Sequence, residues 1–314
     1  MAPYLRRFCL SVLLIGLAGP APAAEKLTVM LDWFANPDHA TLIVAQLKGF
    51  FRDAGLAVEL IEPADPNDPP KLVAAGRAEL AVTYQPQLHI QAAAGLPLTR
   101  IATLVATPLN TLLVLDESPI RSIADLAGRT VGFSVGGFED AILRAMLAKH
   151  GLTLADVTLV NVNFSLSPAL ISRRVDAVIG AYRNFELNQL DLEKHPGRAF
   201  YVEEEGVPPY DELIVITNRA LLADPRLPRF VAALERGVQY LVNHPAESWA
   251  LFVKGRKEVD DELNRRAWAD TISRFALRPA ALDRGRYARM AAFLKAEGVV
   301  ETTPPIDAYA IAPE

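Results

Sequence analysis

The sequence predicts an α/β protein with mostly parallel sheets, folded as two similar lobes. Two observations carry this expectation. Short β-branched runs alternate with longer runs rich in alanine and leucine, the pattern of strands and helices taking turns along a chain. In addition, KLVAAGRAELAVTY at 71–84 is echoed by ALISRRVDAVIGAY at 169–182, each a short helix leading through an acidic residue into an apolar strand that ends at a tyrosine. The echo slips by a residue, so it indicates an approximate structural duplication.

Taken in order, LTVMLDW (27–33) is expected as a strand, 39–54 as a helix and AVELIEP (57–63) as a strand. A helix opening at 70–76, a strand ELAVTY (79–84) and a helix at 86–94 follow, then strands IATLVA (101–106) and TLLVL (111–115). The second part starts again in the same way. TVGFSV (130–135) is a strand, Gly136-Gly137 a turn, 138–152 a helix, VTLVNV (157–162) a strand, SPALISRR a helix and VDAVIGAY (175–182) a strand. LIVIT (213–217) is a further strand, and helices are expected at 228–243, 245–254, 260–275 and 280–297. No long linker separates the parts, so TLLVL and LIVIT are the natural crossings. The expected domains are an export segment at 1–24, a discontinuous first lobe of 25–112 plus 215–314, and a second lobe of 113–214.

The N-terminus has the three parts of an export signal: Arg6 and Arg7, an apolar run from Phe8 to Leu17, and a small-residue exit at Ala21-Pro22-Ala23. That run is shorter than the roughly 20 residues a membrane span needs, so a cleaved leader and a periplasmic location are expected. Cys9, the one cysteine, lies inside the leader, which leaves the mature chain without a disulfide, a thiolate nucleophile or a cysteine metal site. Taking the two positive charges of Arg6 and Arg7 from the formal charge of −5 leaves −7. A negative soluble protein is a poor partner for nucleic acid or an anionic membrane.

Ligands of open parallel sheets bind beyond the C-terminal ends of the strands, and the notable polar residues fall there. Asp32, Trp33, Asn36 and His39 follow the first strand, Tyr84 and Gln85 follow ELAVTY, and Gly136, Gly137 and Glu139 follow TVGFSV. Tyr182, Asn184, Phe185 and Glu186 follow VDAVIGAY, and Tyr210 and Asp211 precede LIVIT. Each has a plainer explanation: Asn36 or Asp38 as a helix cap, Glu139 as a favourable charge on a helix N-terminus, the glycine pair as a tight turn, the aromatics as packing. His39 has no second histidine at metal-ligand spacing on its helix. Their co-location at strand ends of both lobes suits a flat heteroaromatic ligand, with rings to stack and carboxylates to accept from ring amino groups. A phosphate would find little cation beyond Arg183.

On these residues the sequence resembles a family. DWFANPDHATLIVAQLKGFF is similar to the opening signature of the bacterial substrate-binding proteins for thiamine pyrimidine precursors and of their fungal thiamine-pyrimidine synthase relatives. The resemblance continues through LVAAGRAELAVTYQPQ, the GFED helix start, DAVIGAYRNFE and PPYDELIVITN, nearly the whole mature chain. It implies a two-lobed type II periplasmic-binding-protein fold that closes on a ligand such as formylaminopyrimidine or hydroxymethylpyrimidine. It also implies delivery to the permease of an ABC transporter, a monomer, no cofactor and no metal. The cleft candidates carried over are Asp32, Trp33, Asn36, His39, Tyr84, Glu139, Tyr182, Asn184, Glu186 and Tyr210. Riboflavin, another nucleobase-like ring or an alkylsulfonate is the alternative solute.

A pyrimidine-forming enzyme is the other alternative the resemblance raises. The fungal relatives use a lysine that carries pyridoxal phosphate, a histidine one helical turn later and a cysteine-rich segment. Counted back from Gly95-Leu96-Pro97, those two positions here are Thr83 and Gln87, and the segment before LIVIT is VPPYDE. An aldimine needs an amine, so a non-catalytic protein is expected.

Overall fold

The computed structural model describes residues 24–313. The expected leader, with Arg6, Arg7 and Cys9, lies outside the described residues. The chain lays down strands β1 (Glu25–Met30), β2 (Leu56–Ile61), β3 (Leu80–Thr83) and β4 (Leu98–Val105), with helices α1 (Ala40–Leu47), α2 (Phe50–Asp53), α3 (Pro69–Ala74) and α4 (Gln85–Ala93) between them. Next come β5 (Asn110–Leu115), β6 (Thr130–Phe133), α5 (Glu139–Lys149), β7 (Thr158–Asn161), α6 (Leu166–Ile171), β8 (Ala177–Tyr182), α7 (Glu186–Leu192) and β9 (Gly197–Tyr201). After β10 (Leu213–Asn218) the chain is helical: α8 (Arg226–Asn243), α9 (Pro245–Val253), α10 (Glu262–Thr271) and α11 (Arg284–Ala296).

The strands form two sheets, ordered β2-β1-β3-β10-β4 and β7-β6-β8-β5-β9. In the first, β1 pairs in parallel with β2 and β3, and β10 is antiparallel to β3 and β4. In the second, β6 pairs in parallel with β7 and β8, and β5 is antiparallel to β8 and β9. Each sheet thus has four strands in one direction and one reversed, and the reversed strand is the one that sequence order places with the other lobe. The duplicated stretches take equivalent places, α3–β3 in the first sheet and α6–β8 in the second.

Helices on both faces explain the apolar runs, since a strand covered on both sides has no solvent-facing alternation. Every residue of β4 and of β3 is buried, and β5 is buried throughout as well. In α8, Leu227, Phe230, Val231, Leu234, Val238 and Leu241 are buried at helical spacing and turn one stripe to the core. Each large side chain so buried contributes about 1.5–3 kcal/mol. A charged residue stands among them: Arg100 on β4 is fully buried and donates to the carbonyls of Pro279 (2.8 Å), Ala280 (2.9 Å) and Ile311 (2.9 Å). It fastens the C-terminal segment to the first sheet.

Two expectations need correction. The helix expected over 39–54 is a 3-10 turn Pro37–His39, then α1, then α2, because Gly49 takes a left-handed conformation (φ 76°) that ends α1. And β9, GRAFY, is a strand that the run pattern does not predict. Its five residues are all half-buried, so it lacks both the alternation of a half-exposed strand and the apolar run of a central one.

Candidate functional site

The parallel strands of both sheets end at one cavity between the sheets, the place where open α/β sheets bind ligands. From the first sheet it is lined by Asp32, Trp33, Asn36, Asp38 and His39 after β1, and by Tyr84 after β3. From the second come Phe138 and Glu139 at the start of α5, Gly180 and Tyr182 on β8, and Phe185 and Glu186 at the start of α7.

The loop after β1 is fixed by its own side chains. The Asn36 carboxamide accepts from the Asp38 N–H (2.8 Å), and the Asn36 N–H donates to His39 Nδ1 (3.3 Å), so the capping role and the cavity position coincide. With Nδ1 an acceptor, the imidazole proton sits on Nε2, which donates to Asp32 Oδ1 at 2.9 Å. The other oxygen, Oδ2, accepts from the Tyr84 hydroxyl, also at 2.9 Å. Both oxygens of this buried carboxylate therefore have partners, which the cost of an unmet buried charge demands.

The second-sheet wall is held by main-chain donors. Glu139 Oε2 accepts from the Ser134 N–H (2.7 Å), and Glu186 Oε2 from the Tyr182 N–H (2.7 Å). Burial outweighs these bonds: it pushes the Glu139 carboxyl up to about 8 and Glu186 up to about 7. Asp38 is likewise pushed up to about 6 by burial, opposed by His39, Asn184 and Thr271. Gly180 is the reason Glu139 fits. A Cβ there would overlap the Glu139 carboxyl group, and the residue has φ 93°.

Aromatic rings of the cavity wall meet rings from the other sheet. Tyr84 stacks on Phe138 (centroids 4.9 Å, 16° between planes), and Trp33 meets Phe164 edge-on (4.6 Å, 75°). The sheets are also tied by Asn67, which donates to the Ser134 carbonyl (3.1 Å) and accepts from the Gly136 N–H (3.0 Å). That contact uses an N–H of the glycine pair that an anion would have needed.

Of the ten residues singled out from the sequence, eight line the cavity and two stand behind it. Asn184 is buried and donates to Asp38 Oδ1 (2.6 Å) and Thr271 Oγ1 (2.7 Å). Tyr210 is fully buried and meets Phe138 edge-on at 6.4 Å. Arg183 forms a bidentate pair with Glu203 (2.6 and 2.8 Å) and does not reach the cavity. Asp211 accepts from Thr103 Oγ1 (2.9 Å) and pairs with Arg286, a tie between β4 and α11. Sequence reasoning passes over Phe138, treats Asp38 only as a cap, and misses Glu212, whose buried carboxyl accepts from the Asn110 N–H (2.9 Å) and is pushed up to about 7 by burial. For Asp38 the signal is present, since it lies between the selected Asn36 and His39. Nothing in the sequence marks Phe138 as more than core.

The wall thus offers Asp32, Asp38, Glu139 and Glu186, and among the described residues lining it there is neither lysine nor arginine. Its chemistry accepts hydrogen bonds and stacks on rings. Thr83 and Gln87 are buried outside the lining, with the Thr83 hydroxyl donating to Gln87 Oε1 at 2.5 Å.

Comparison with known proteins adds six findings. The model of the family described as NMT1/THI5 like matches residues 36–248. A thiamine biosynthesis protein of Haemophilus influenzae is 52% identical over 93% of each chain. The formylaminopyrimidine-binding protein of Halalkalibacterium halodurans is 35% identical over 80% of this chain and 77% of its own, and a 4-amino-5-hydroxymethyl-2-methylpyrimidine phosphate synthase of Uromyces fabae is 30% identical over 77% and 74%. Among solved structures, a Candida albicans protein with the generic periplasmic binding protein fold superposes with a TM-score of 0.72 at 16% identity (93% of this chain, 97% of that one). The alkanesulfonate-binding protein of Xanthomonas axonopodis superposes with a TM-score of 0.70 at 17% identity (93% and 98%). These two establish the fold.

Proposed function

The chain belongs to the NMT1/THI5-like family, and on that footing we propose that it is an exported, non-catalytic solute-binding protein. It traps a thiamine-pathway aminopyrimidine between its two lobes, 25–112 with 215–314 and 113–214, and delivers it to an ABC permease. The observation that carries this reading is the wall: four carboxylates and stacked aromatics, with no lysine or arginine among the described residues that line it. A ring bearing an amino group supplies both the π-face and the donors that such a wall lacks. At neutral pH, Glu139, raised to about 8, holds a proton it can give to a ring nitrogen. A sulfonate brings only acceptors and charge of the wrong sign. That argues against the ligand class named for the Xanthomonas protein, whose likeness is one of fold.

Capture works by closure. A ligand that touches both sheets stabilises the closed arrangement by contacts the open one cannot make. The relative named as formylaminopyrimidine-binding protein supports the ligand class. Against the synthase reading, position 83 is a threonine whose hydroxyl is already given to Gln87.

A thermal-shift panel tests the proposal. Formylaminopyrimidine or 4-amino-5-hydroxymethyl-2-methylpyrimidine at 100 times Kd is expected to stabilise the protein by about 2.7 kcal/mol, with no shift from riboflavin or an alkanesulfonate and no reducible adduct with pyridoxal phosphate. Stabilisation by riboflavin or a sulfonate but by neither pyrimidine would sink it.

A further inference from the structure

Asp38 stands apart among the cavity carboxylates because one of its oxygens is bound to the second sheet while the other is buried with no partner. It sits on the loop after β1, is 1% exposed, and lines the cavity. Oδ1 accepts from Asn184 Nδ2, on the turn between β8 and α7, at 2.6 Å, and lies 3.0 Å from the Thr271 hydroxyl at the end of α10, whose one proton is shared with the Ala267 carbonyl at 2.6 Å. Oδ2 is buried and has no hydrogen-bond partner. A buried carboxylate oxygen left unmatched costs about 1–3 kcal/mol or more. The other first-sheet carboxylate of the wall, Asp32, has no unmatched oxygen, since His39 and Tyr84 take both.

We propose that Asp38 couples capture to closure: Oδ1 latches the second sheet and α10 onto the first, and Oδ2 accepts an N–H from the amino group of the bound ring. The inference rests on the aminopyrimidine reading above and assigns that ring's exocyclic donor to one atom. Three features support it. Oδ2 is the one oxygen of Asp38 free for a ligand, because the latch consumes Oδ1. The Tyr182 hydroxyl, on the facing sheet and also lining the cavity, is buried without a partner, so a group placed between them meets unmatched atoms from both sheets. Burial pushes the Asp38 carboxyl up to about 6, and a donor at Oδ2 favours its charged form, which in turn strengthens both latch bonds. Asp38 thus acts on the ligand directly and on the lobes through Asn184.

The latch and the ligand contact separate by substitution. Asp38→Asn keeps a carbonyl oxygen for Asn184 and Thr271 but replaces the acceptor at Oδ2 with an NH2. Asn184→Ala removes the latch donor and leaves Oδ2 in place. The probes are 4-amino-5-hydroxymethyl-2-methylpyrimidine and 5-hydroxymethyl-2-methylpyrimidine, which lacks the amino donor, titrated calorimetrically. Wild type is expected to prefer the amino ring by about tenfold or more, the worth of a hydrogen bond to a charged acceptor. Asp38→Asn should lose that preference through weaker binding of the amino ring alone. Asn184→Ala should weaken both rings alike and keep the preference. Small-angle scattering of the ligand-bound state should show a larger radius of gyration for Asn184→Ala than for wild type.

A preference retained in Asp38→Asn, or lost in Asn184→Ala as fully as in Asp38→Asn, overturns the division of labour and leaves the pyrimidine reading standing. Binding of neither ring by the wild type overturns the pyrimidine reading itself, and the assignment of Oδ2 falls with it.

Discussion

The two sheets share one strand order and one reversed strand each, yet they furnish the cavity differently. The first-sheet wall presents Asp32 with both oxygens engaged by side chains, His39 and Tyr84. The second presents Glu139 and Glu186, each held by a main-chain N–H and pushed by burial up to about 8 and about 7. A duplicated frame therefore supports two unlike surfaces. One is a side-chain network set before any ligand arrives, and the other is a pair of carboxyls whose protons are exchanged near neutral pH.

The second wall depends on one missing side chain, and removing that allowance gives the largest expected effect. Gly180→Ala drives a Cβ into the Glu139 carboxyl group at a backbone φ of 93°. Overpacking and left-handed strain each cost roughly 1–3 kcal/mol, so a loss of about 3 kcal/mol in urea unfolding is expected, with ligand binding lost. In Gly180→Ala combined with Glu139→Ala, the steric part should be recovered and the strain should remain. Equal losses in the single and double variants would show that Glu139 is not what the glycine accommodates.

The protons of the second wall predict a pH trend of the next size. Glu139 and Glu186 have folded-state values raised above the unfolded carboxyl range, so the folded protein binds more protons than the unfolded chain between those limits. The stability these protons contribute is full below about pH 4.5 and is lost as pH rises through about 7 to 8, each group giving up at most about 1.4 kcal/mol per pH unit. The urea midpoint of the ligand-free protein should drop across this window, and Glu139→Gln should flatten the drop. A midpoint that rises with pH over the same range would reverse the assignment.

How much of this was legible in the sequence follows from the same contrast. The alternation of runs and the echo of 71–84 in 169–182 point to two sheets, because buried strands read as apolar runs whatever their neighbours. In the second sheet β9 takes the edge place that β4 has in the first, but GRAFY is a half-buried strand with no pattern to find. At the site, strand-end positions are readable because topology dictates them. Depth is not: Asn184 and Tyr210 sit at strand ends like the others, and only packing sets them behind the wall. The reverse error hides Phe138, whose apolar side chain reads as core yet stacks on Tyr84 at the cavity.

Trp33 sharpens the comparison from the first-sheet side. It is half-buried and meets Phe164 across the gap between sheets, so its contribution depends on closure more than on folding. Trp33→Ala should weaken ring binding by about tenfold, or about 1.4 kcal/mol, and change the ligand-free urea midpoint little. If stability falls as much as affinity, Trp33 is a core residue of the first sheet and not part of a closing wall.

The smallest effect separates the buried ties between sheets from the exposed ones. Arg266 on α10 bonds Asp191 on α7 at 2.6 Å, close in the chain to the buried contact of Asn184, just before α7, with Thr271 at the end of α10. Both partners are well exposed, 37% and 60%, so water and salt screen the pair and ordering two long side chains offsets part of its attraction. Arg266→Ala should cost no more than about 0.5 kcal/mol, with ligand affinity within about twofold of wild type and the small difference vanishing in roughly 1 M salt. A loss approaching that of Asn184→Ala would mean that closure is governed by surface charge between α10 and α7, and that the buried Asp38–Asn184 contact only follows it.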